Sequence, residues 1–489
     1  MTDPLASELV MQTATEQATS VREGRVTAVA LLDAALDRYE RFNPALNAVV
    51  VTRIDEARQR AGDIDAAVAA GDPVGPLAGV PMTIKEAFDW AGTPTTWGYP
   101  AQADNIATSN ATMVDRLLAA GAVIYGKTNV PIALGDWQSF NDIYGTTNNP
   151  WDLARSPGGS SGGSAAALAS GMASLELGSD IGASIRNPAH YCGVFGHKPT
   201  FDLLPMTGHA LPGANADMDI GVVGPLARSA ADLDLALDVL AGPDRFDAIG
   251  YRAHLPAETR TELSQFRVAV MLESPAIVQD RELTTQLTSS VEALAAAGLQ
   301  VDWDARPDID QIAAHENYLT LLRAATGVFV DDDEFATQQQ HAARYREGDR
   351  DYRARAARGV TMTHRDWFHA SSERENMRRT WADFFTDHDL LLCPIAASAA
   401  NFHDHEGERA DRMIDVNDGK QPTTDQLFWA GWSCNVYLPA TVAPTGLTAS
   451  GLPAGLQIVA PHLLDRRSIA FAGLLERELG SFVAPPGYD

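Results

Sequence analysis

Two stretches of this chain repeat one pattern: an amphipathic helix, a glycine, then a short apolar strand. In the first, Thr112–Ala120 reads as the helix, Gly121 suits the left-handed residue that follows, and Ala122–Tyr125 reads as the strand. In the second, Leu283, Leu287, Val291 and Leu294 recur at helical spacing before Gly298 and the strand-like Leu299–Trp303. Gly79–Lys85 reads as another short strand, and Leu390–Cys393 as a buried strand closed by Pro394. Ala28–Tyr39 is predicted helical, ending near Asn43-Pro44. Strands alternating with helices favour a sheet with helices on its faces, an α/β fold. A length of 489 residues suits one large domain of this kind or two to three average ones.

Composition excludes several functions. Acidic residues outnumber basic ones 64 to 37, a formal charge of −27. Bulk repulsion then opposes a general nucleic-acid or anionic-membrane surface. The three cysteines, Cys192, Cys393 and Cys434, form no C-x-x-C pair, which disfavours a disulfide framework and a zinc knuckle. No export signal opens the sequence, and no run approaches the ~18 apolar residues of a membrane span. The expected setting is the cytoplasm.

Segment character changes along the chain. Residues 157–184 are dominated by Gly, Ser and Ala, and residues 243–265 are polar enough to join two halves. Asp310–Asp387 is rich in Arg, Asp and Glu and helical in pattern, its run Asp331–Glu334 reading as a solvated helix start.

Two familiar strings are rejected on context. Gly121–Thr128 matches the phosphate-loop pattern, but its middle positions Ala-Val-Ile-Tyr are strand residues, not an irregular loop. Gly159-Ser-Ser-Gly-Gly163 matches the G-x-S-x-G elbow, yet Asn149–Pro157 carries two prolines and does not read as the central strand that elbow needs. More informative is the small-residue turn Ser179–Pro188, with Ser184 placed 24 residues after Ser160. Consecutive amides in such a turn converge on one point, as a developing oxyanion requires.

Taken together, Gly126–Pro131, Asn149-Pro-Trp151, Gly158–Ser164, Asp180–Arg186 and Cys192–Thr200 resemble the amidase signature family. Gly79–Lys85 looks like that family's lysine strand, 75 residues before Ser160. The similarity is dense from residue 77 to about 242 and nearly absent between 246 and 385. It implies one amidase domain over residues 1–489, with a central mixed, mostly parallel sheet flanked by helices. Its core would comprise about 70–245 and 386–489, and a variable, mostly helical segment at about 246–385 would cover the substrate.

The resemblance also implies roles. Ser184 would be the nucleophile, Ser160 would follow a cis peptide bond and bridge it to Lys85, and neutral Lys85 would be the base. The amides of Ile181, Gly182, Ala183 and Ser184 would line the oxyanion hole. Ser161 would support the network, Asp180 with Arg186 would brace the turn, and Leu134, Gly135 and Trp137 would face the substrate. These roles agree with the chemistry of the residues. A serine hydroxyl needs a positioned base, and burial is what keeps a lysine neutral.

One departure stands out, because Ala183 occupies a turn position that is usually glycine. A negative φ is expected there, with the methyl narrowing the oxyanion pocket. Trp429 and Trp432 are candidates for the cavity wall, whereas His403–Glu406 reads as a polar loop rather than a metal site. The function these residues imply is hydrolysis of a carbon–nitrogen amide bond, with carbamate, anilide or amide-oligomer substrates all open. No metal or organic cofactor is expected, and the partner is a small-molecule amide or carbamate; the chain would act alone or as a homodimer. The alternatives are a glutaminase subunit of a tRNA-dependent amidotransferase, an α/β-hydrolase esterase and a non-catalytic binding protein.

Overall fold

A computed structural model describes residues 4–346, 348–349 and 351–489. Eleven strands form one sheet: β1 Val49–Thr52, β2 Pro81–Lys85, β3 Val123–Thr128, β4 Leu175–Asp180, β5 Phe195–Lys198, β6 Val222–Ala227, β7 Arg267–Val270, β8 Gln300–Asp302, β9 Leu390–Cys393, β10 Ala440–Leu447 and β11 Pro453–Val459. Their order is β1-β3-β2-β4-β6-β5-β10-β11-β9-β7-β8. The sheet is mixed. Parallel pairing joins β3-β2-β4 on one flank and β9-β7-β8 on the other, and antiparallel pairing runs through the middle and at β1.

The sheet is covered on both faces, so its inner strands are buried along their whole length. Alternation along β3 shows the two layers: Val123 and Tyr125 belong to the core that holds Leu31, Leu32 and Ala165–Ala169, while Ile124 belongs to the core that holds Met82, Leu177 and Leu233. The string resembling a phosphate loop therefore lies largely in β3, and Lys127 is a buried strand residue.

The repeated pattern is realised twice. Helix Thr112–Ala119 precedes Gly121 at φ +93° and then β3; helix Arg281–Ala296 precedes Gly298 at φ +108° and then β8. The first long helix differs from expectation. It spans Ala28–Leu46, running through Pro44 to end at Asn47 in a left-handed conformation. Asn43 makes this end possible, because its side chain accepts from the amides of Ala48 and Val49 at 2.9 Å each. The capping asparagines, not the proline, decide the stop.

Residues 246–385 also need correcting as a single covering segment. Their first part supplies β7, helix Arg281–Ala296 and β8 to the central sheet. Among the described residues of this segment, those that line the large cavity described below all lie between Leu322 and Val360. There Asp331 caps helix Asp332–Arg344, accepting from the amide of Glu334 at 2.8 Å. Among the described residues no helix is long and apolar enough to cross a membrane.

Candidate active site

Three neighbouring segments converge at one end of β2 and β4. Lys85 is the last residue of β2 and is fully buried. Its Nζ donates to Ser160 Oγ at 2.6 Å and to Ser179 Oγ at 2.9 Å. The Gly159–Ser160 peptide bond is cis. The loop around it is held from outside, since Gly159 N–H donates to Asn187 Oδ1 at 3.2 Å and Gly162 N–H to Ser139 Oγ at 3.1 Å. Ser161 ties the two serine turns together by donating its N–H to the Ser184 carbonyl at 3.1 Å.

The second turn is organised by Asp180. Its carboxylate accepts the amides of Ala183 (2.9 Å), Ile185 (3.0 Å) and Arg186 (3.3 Å), and the Arg186 guanidinium at 2.9 and 3.0 Å. The ion pair is completely buried. Burial alone would raise the Asp180 pKa, but the charge and hydrogen bonds of Arg186 outweigh it and hold the group at about 2. Arg186 in turn donates to Ser433 Oγ at 2.7 Å, anchoring the turn to helix Leu427–Cys434.

The carbonyl oxygens of this turn are fixed from outside. Trp137 Nε1 donates to Gly182 O at 2.7 Å, and the Tyr318 hydroxyl to Ile181 O at 2.9 Å. In a trans peptide the C=O and N–H point opposite ways. Tyr318 therefore sets the direction of the Gly182 amide. Among the described residues the amides of Ile181, Gly182 and Ser184 have no protein acceptor, and all three residues line the cavity.

Ala183 departs from both expectations. Its φ is +71°, so the backbone is left-handed, and its methyl is buried in the core beneath the turn instead of lining the cavity. Its amide is taken by Asp180, which removes it from the oxyanion donors. The strain costs about 1–2 kcal/mol, partly repaid by burial of the methyl. Ala183→Gly is accordingly expected to leave substrate range unchanged and to shift stability by no more than about 1 kcal/mol. Denaturant midpoints and relative rates across substrates check this, and a widened substrate range would restore the narrowing idea.

Burial dominates the electrostatics of Lys85. It lowers the pKa from 10.5 to about 7, against the opposing pull of Asp180 and Glu86. A neutral amine is then populated at physiological pH. His209 nearby is pushed down to about 3 by burial and by Lys85. It sits between Phe88 and Trp97, and among the described residues neither ring nitrogen has a partner.

Ser160 and Ser184 open into a cavity of about 540 Å³, which Leu134, Gly135 and Trp137 also line. Ala133 and Leu134 hold positive φ values of 58° and 53°, a strained rim of the kind found at binding sites. Trp429 and Trp432 do not reach this cavity. They pack with Trp381 and Phe428, and Trp429 Nε1 donates to Gln279 at 2.9 Å. His403 bonds Asn148 Oδ1 at 3.1 Å and His405 stacks on Phe140. Among the described residues no group of three or more potential ligands could hold a metal ion.

Sequence reasoning missed Ser179 and Tyr318. The first has a signal, since strand alternation puts it on the opposite face from Asp180. The second has none, because it acts across 137 residues of chain.

The family model described as Amidase matches residues 30–468. The chain belongs to the amidase family. This amidase is a hydrolase acting on amides. It is 33% identical to an acylamidase of Rhodococcus erythropolis, over 92% of each chain. It is also 33% identical to a glutamyl-tRNA(Gln) amidotransferase subunit of Deinococcus deserti, over 96% of each. Among solved structures, a bacterial aryl acylamidase of the amidase signature family superposes with a TM-score of 0.79 at 25% identity, covering 96% of both chains.

Proposed function

We propose that this amidase cleaves small-molecule amides through an acyl-enzyme on Ser184, with Ser160 and Lys85 as the proton relay. The observation that carries the reading is the 2.6 Å contact of a fully buried lysine with Ser160, beside the cavity that also exposes Ser184. Ser184 Oγ attacks the carbonyl carbon while its proton passes through the Ser160 hydroxyl to Lys85 Nζ. The amides of Ile181, Gly182 and Ser184 stabilise the oxyanion. Collapse breaks the C–N bond, and the proton returns from Lys85 through Ser160 to the departing nitrogen. Water then attacks the acyl ester by the same relay, releasing the acid and restoring Ser184.

Carbamates present the same carbonyl to the same donors, so urethane cleavage belongs to this reading, as do anilides and amide oligomers. The test is turnover of a matched panel: primary amide, anilide, carbamate, ester and cyclic amide. Amide or anilide turnover by the purified chain, together with labelling of Ser184 by an active-serine probe, is the expected outcome. Failure to turn over any amide, or absence of label at Ser184, overturns the reading. Likeness to the amidotransferase protein keeps a second reading in play, a glutaminase dependent on other subunits. Hydrolysis of non-glutamine amides by the chain alone excludes it.

A further inference from the structure

One wall of the substrate cavity carries two cations that, among the described residues, have no counterion. Helix Gln311–Thr326 brings Arg323 to that wall, and Arg409 reaches it from the short 3-10 helix Arg409–Asp411. Arg409 donates one bond, from Nη1 to the Gly135 carbonyl at 2.6 Å. The Arg323 guanidinium lies over the Tyr352 ring at 5.2 Å. Among the described residues neither arginine pairs with a carboxylate, and the Nε of each is sealed from solvent with no acceptor.

Nearby acids are already committed. Glu408 and Asp411 hold Arg353, Asp136 holds Arg412, and Asp180 holds Arg186. Glu334 stands exposed and accepts from Gln338. Burial lowers the Arg323 pKa, Tyr352 opposes that shift, and neighbouring Arg409 adds to it. In a chain with 64 acids against 37 bases, two neighbouring arginines that find no carboxylate among the described residues are conspicuous. Both arginines are half-buried with an Nε–H that lacks an acceptor, and a carboxylate bound in the cavity would satisfy such donors while pairing with the cations. The guanidinium fork also matches a carboxylate in two parallel bonds.

We infer that Arg323 and Arg409 form an anion subsite, and that the preferred substrates are amides bearing a free carboxylate remote from the scissile bond. The inference rests on the amide-hydrolysis reading and narrows its substrate class. Helix geometry gives the separation. Tyr318 holds the nucleophile turn and Arg323 lies five residues further along the same helix, roughly 7 Å down its axis. The carboxylate therefore sits several bonds from the reacting carbonyl. The chain's overall negative charge does not oppose this, because charges beyond about 10 Å are largely screened at physiological salt.

The experiment compares anilides by aniline release: the monoanilide of a linear dicarboxylic acid against the alkanoic anilide of equal chain length. An N-acyl ω-amino acid against the matching N-acyl alkylamine covers the other side of the scissile bond. Wild type is expected to favour the acid roughly ten- to a hundredfold in kcat/KM in at least one series, mainly through KM. Arg323→Gln and Arg409→Gln should each collapse that ratio, and Arg323→Lys should restore part of it. Equal wild-type rates for acid and neutral substrates in both series overturn the subsite. So does a variant that lowers both members of a pair by the same factor, since that marks a purely structural role. Absence of turnover on every substrate would instead sink the amidase reading itself.

Discussion

Lys85→Met is expected to lower kcat by about 10³–10⁴-fold, while leaving the protein at least as stable as wild type. The methionine side chain has nearly the same length and keeps the end of β2 filled, but it cannot take a proton from Ser160. Wild-type activity should rise about tenfold per pH unit below neutrality and level off above about pH 7, because only neutral Lys85 accepts the proton. The residual rate of the variant should lose that inflection. Ser184→Ala is expected to lose at least as much activity and to abolish probe labelling. A Lys85→Met rate within tenfold of wild type would remove the lysine from the mechanism.

The stability half of this prediction follows from linkage. The folded pKa of Lys85 lies below the unfolded value, so between about pH 7 and 10.5 the unfolded chain binds the extra proton. Wild-type stability therefore gains as pH rises through that window, and below it the burial penalty is present in full. Methionine carries no such penalty. The Tm difference between variant and wild type should accordingly be largest near or below pH 7 and shrink toward pH 10.5.

Arg186→Met is expected to destabilise the fold by about 3–5 kcal/mol and to abolish activity with it. The substitution leaves the Asp180 carboxylate buried, still holding three backbone amides but stripped of its cation. Replacing both residues, Asp180→Asn with Arg186→Met, should cost less stability than Arg186→Met alone, because no isolated charge remains. Arg186→Lys should fall between, since an ammonium cannot reproduce the two-pronged contact. Urea midpoints read all three. A double variant less stable than the single would show that the carboxylate's bonds to the turn outweigh the buried charge.

Acid sensitivity follows from the same pair. The folded pKa of Asp180, about 2, lies below its ordinary 3.8. The stabilisation it provides is complete above about pH 4 and is lost as pH falls toward 2. This adds to the penalty already present at low pH from buried Lys85.

Much of the site was legible because its parts are local. Lys85 ends a short apolar strand, and Ser160 and Ser184 each sit in a turn of small residues, so spacing along the chain singles them out as the proposed reacting groups. The Asp180–Arg186 pair spans six residues and is equally readable. The departures share a cause in long-range packing. A negative φ suits Ala183 on sequence alone, but Asp180 pulls its amide inward and the core takes its methyl. Pro44 looks like a helix end until the Asn43 and Asn47 contacts decide otherwise. Trp429 and Trp432 look as suited to a pocket as to a core, and only the packing of Trp381 and Phe428 against them separates the two.

The sequence by itself determined the element pattern and the family, and singled out the side chains proposed to react, because periodicity, turn chemistry and fixed spacings are written in consecutive residues. Tertiary structure alone decided which amides of the turn lack an acceptor among the described residues, that Tyr318 aims one of them, and that Arg323 and Arg409 line the cavity with no carboxylate partner among those residues. Those facts depend on contacts between segments more than a hundred residues apart in some cases. No local pattern encodes which groups such contacts satisfy and which they leave for a substrate.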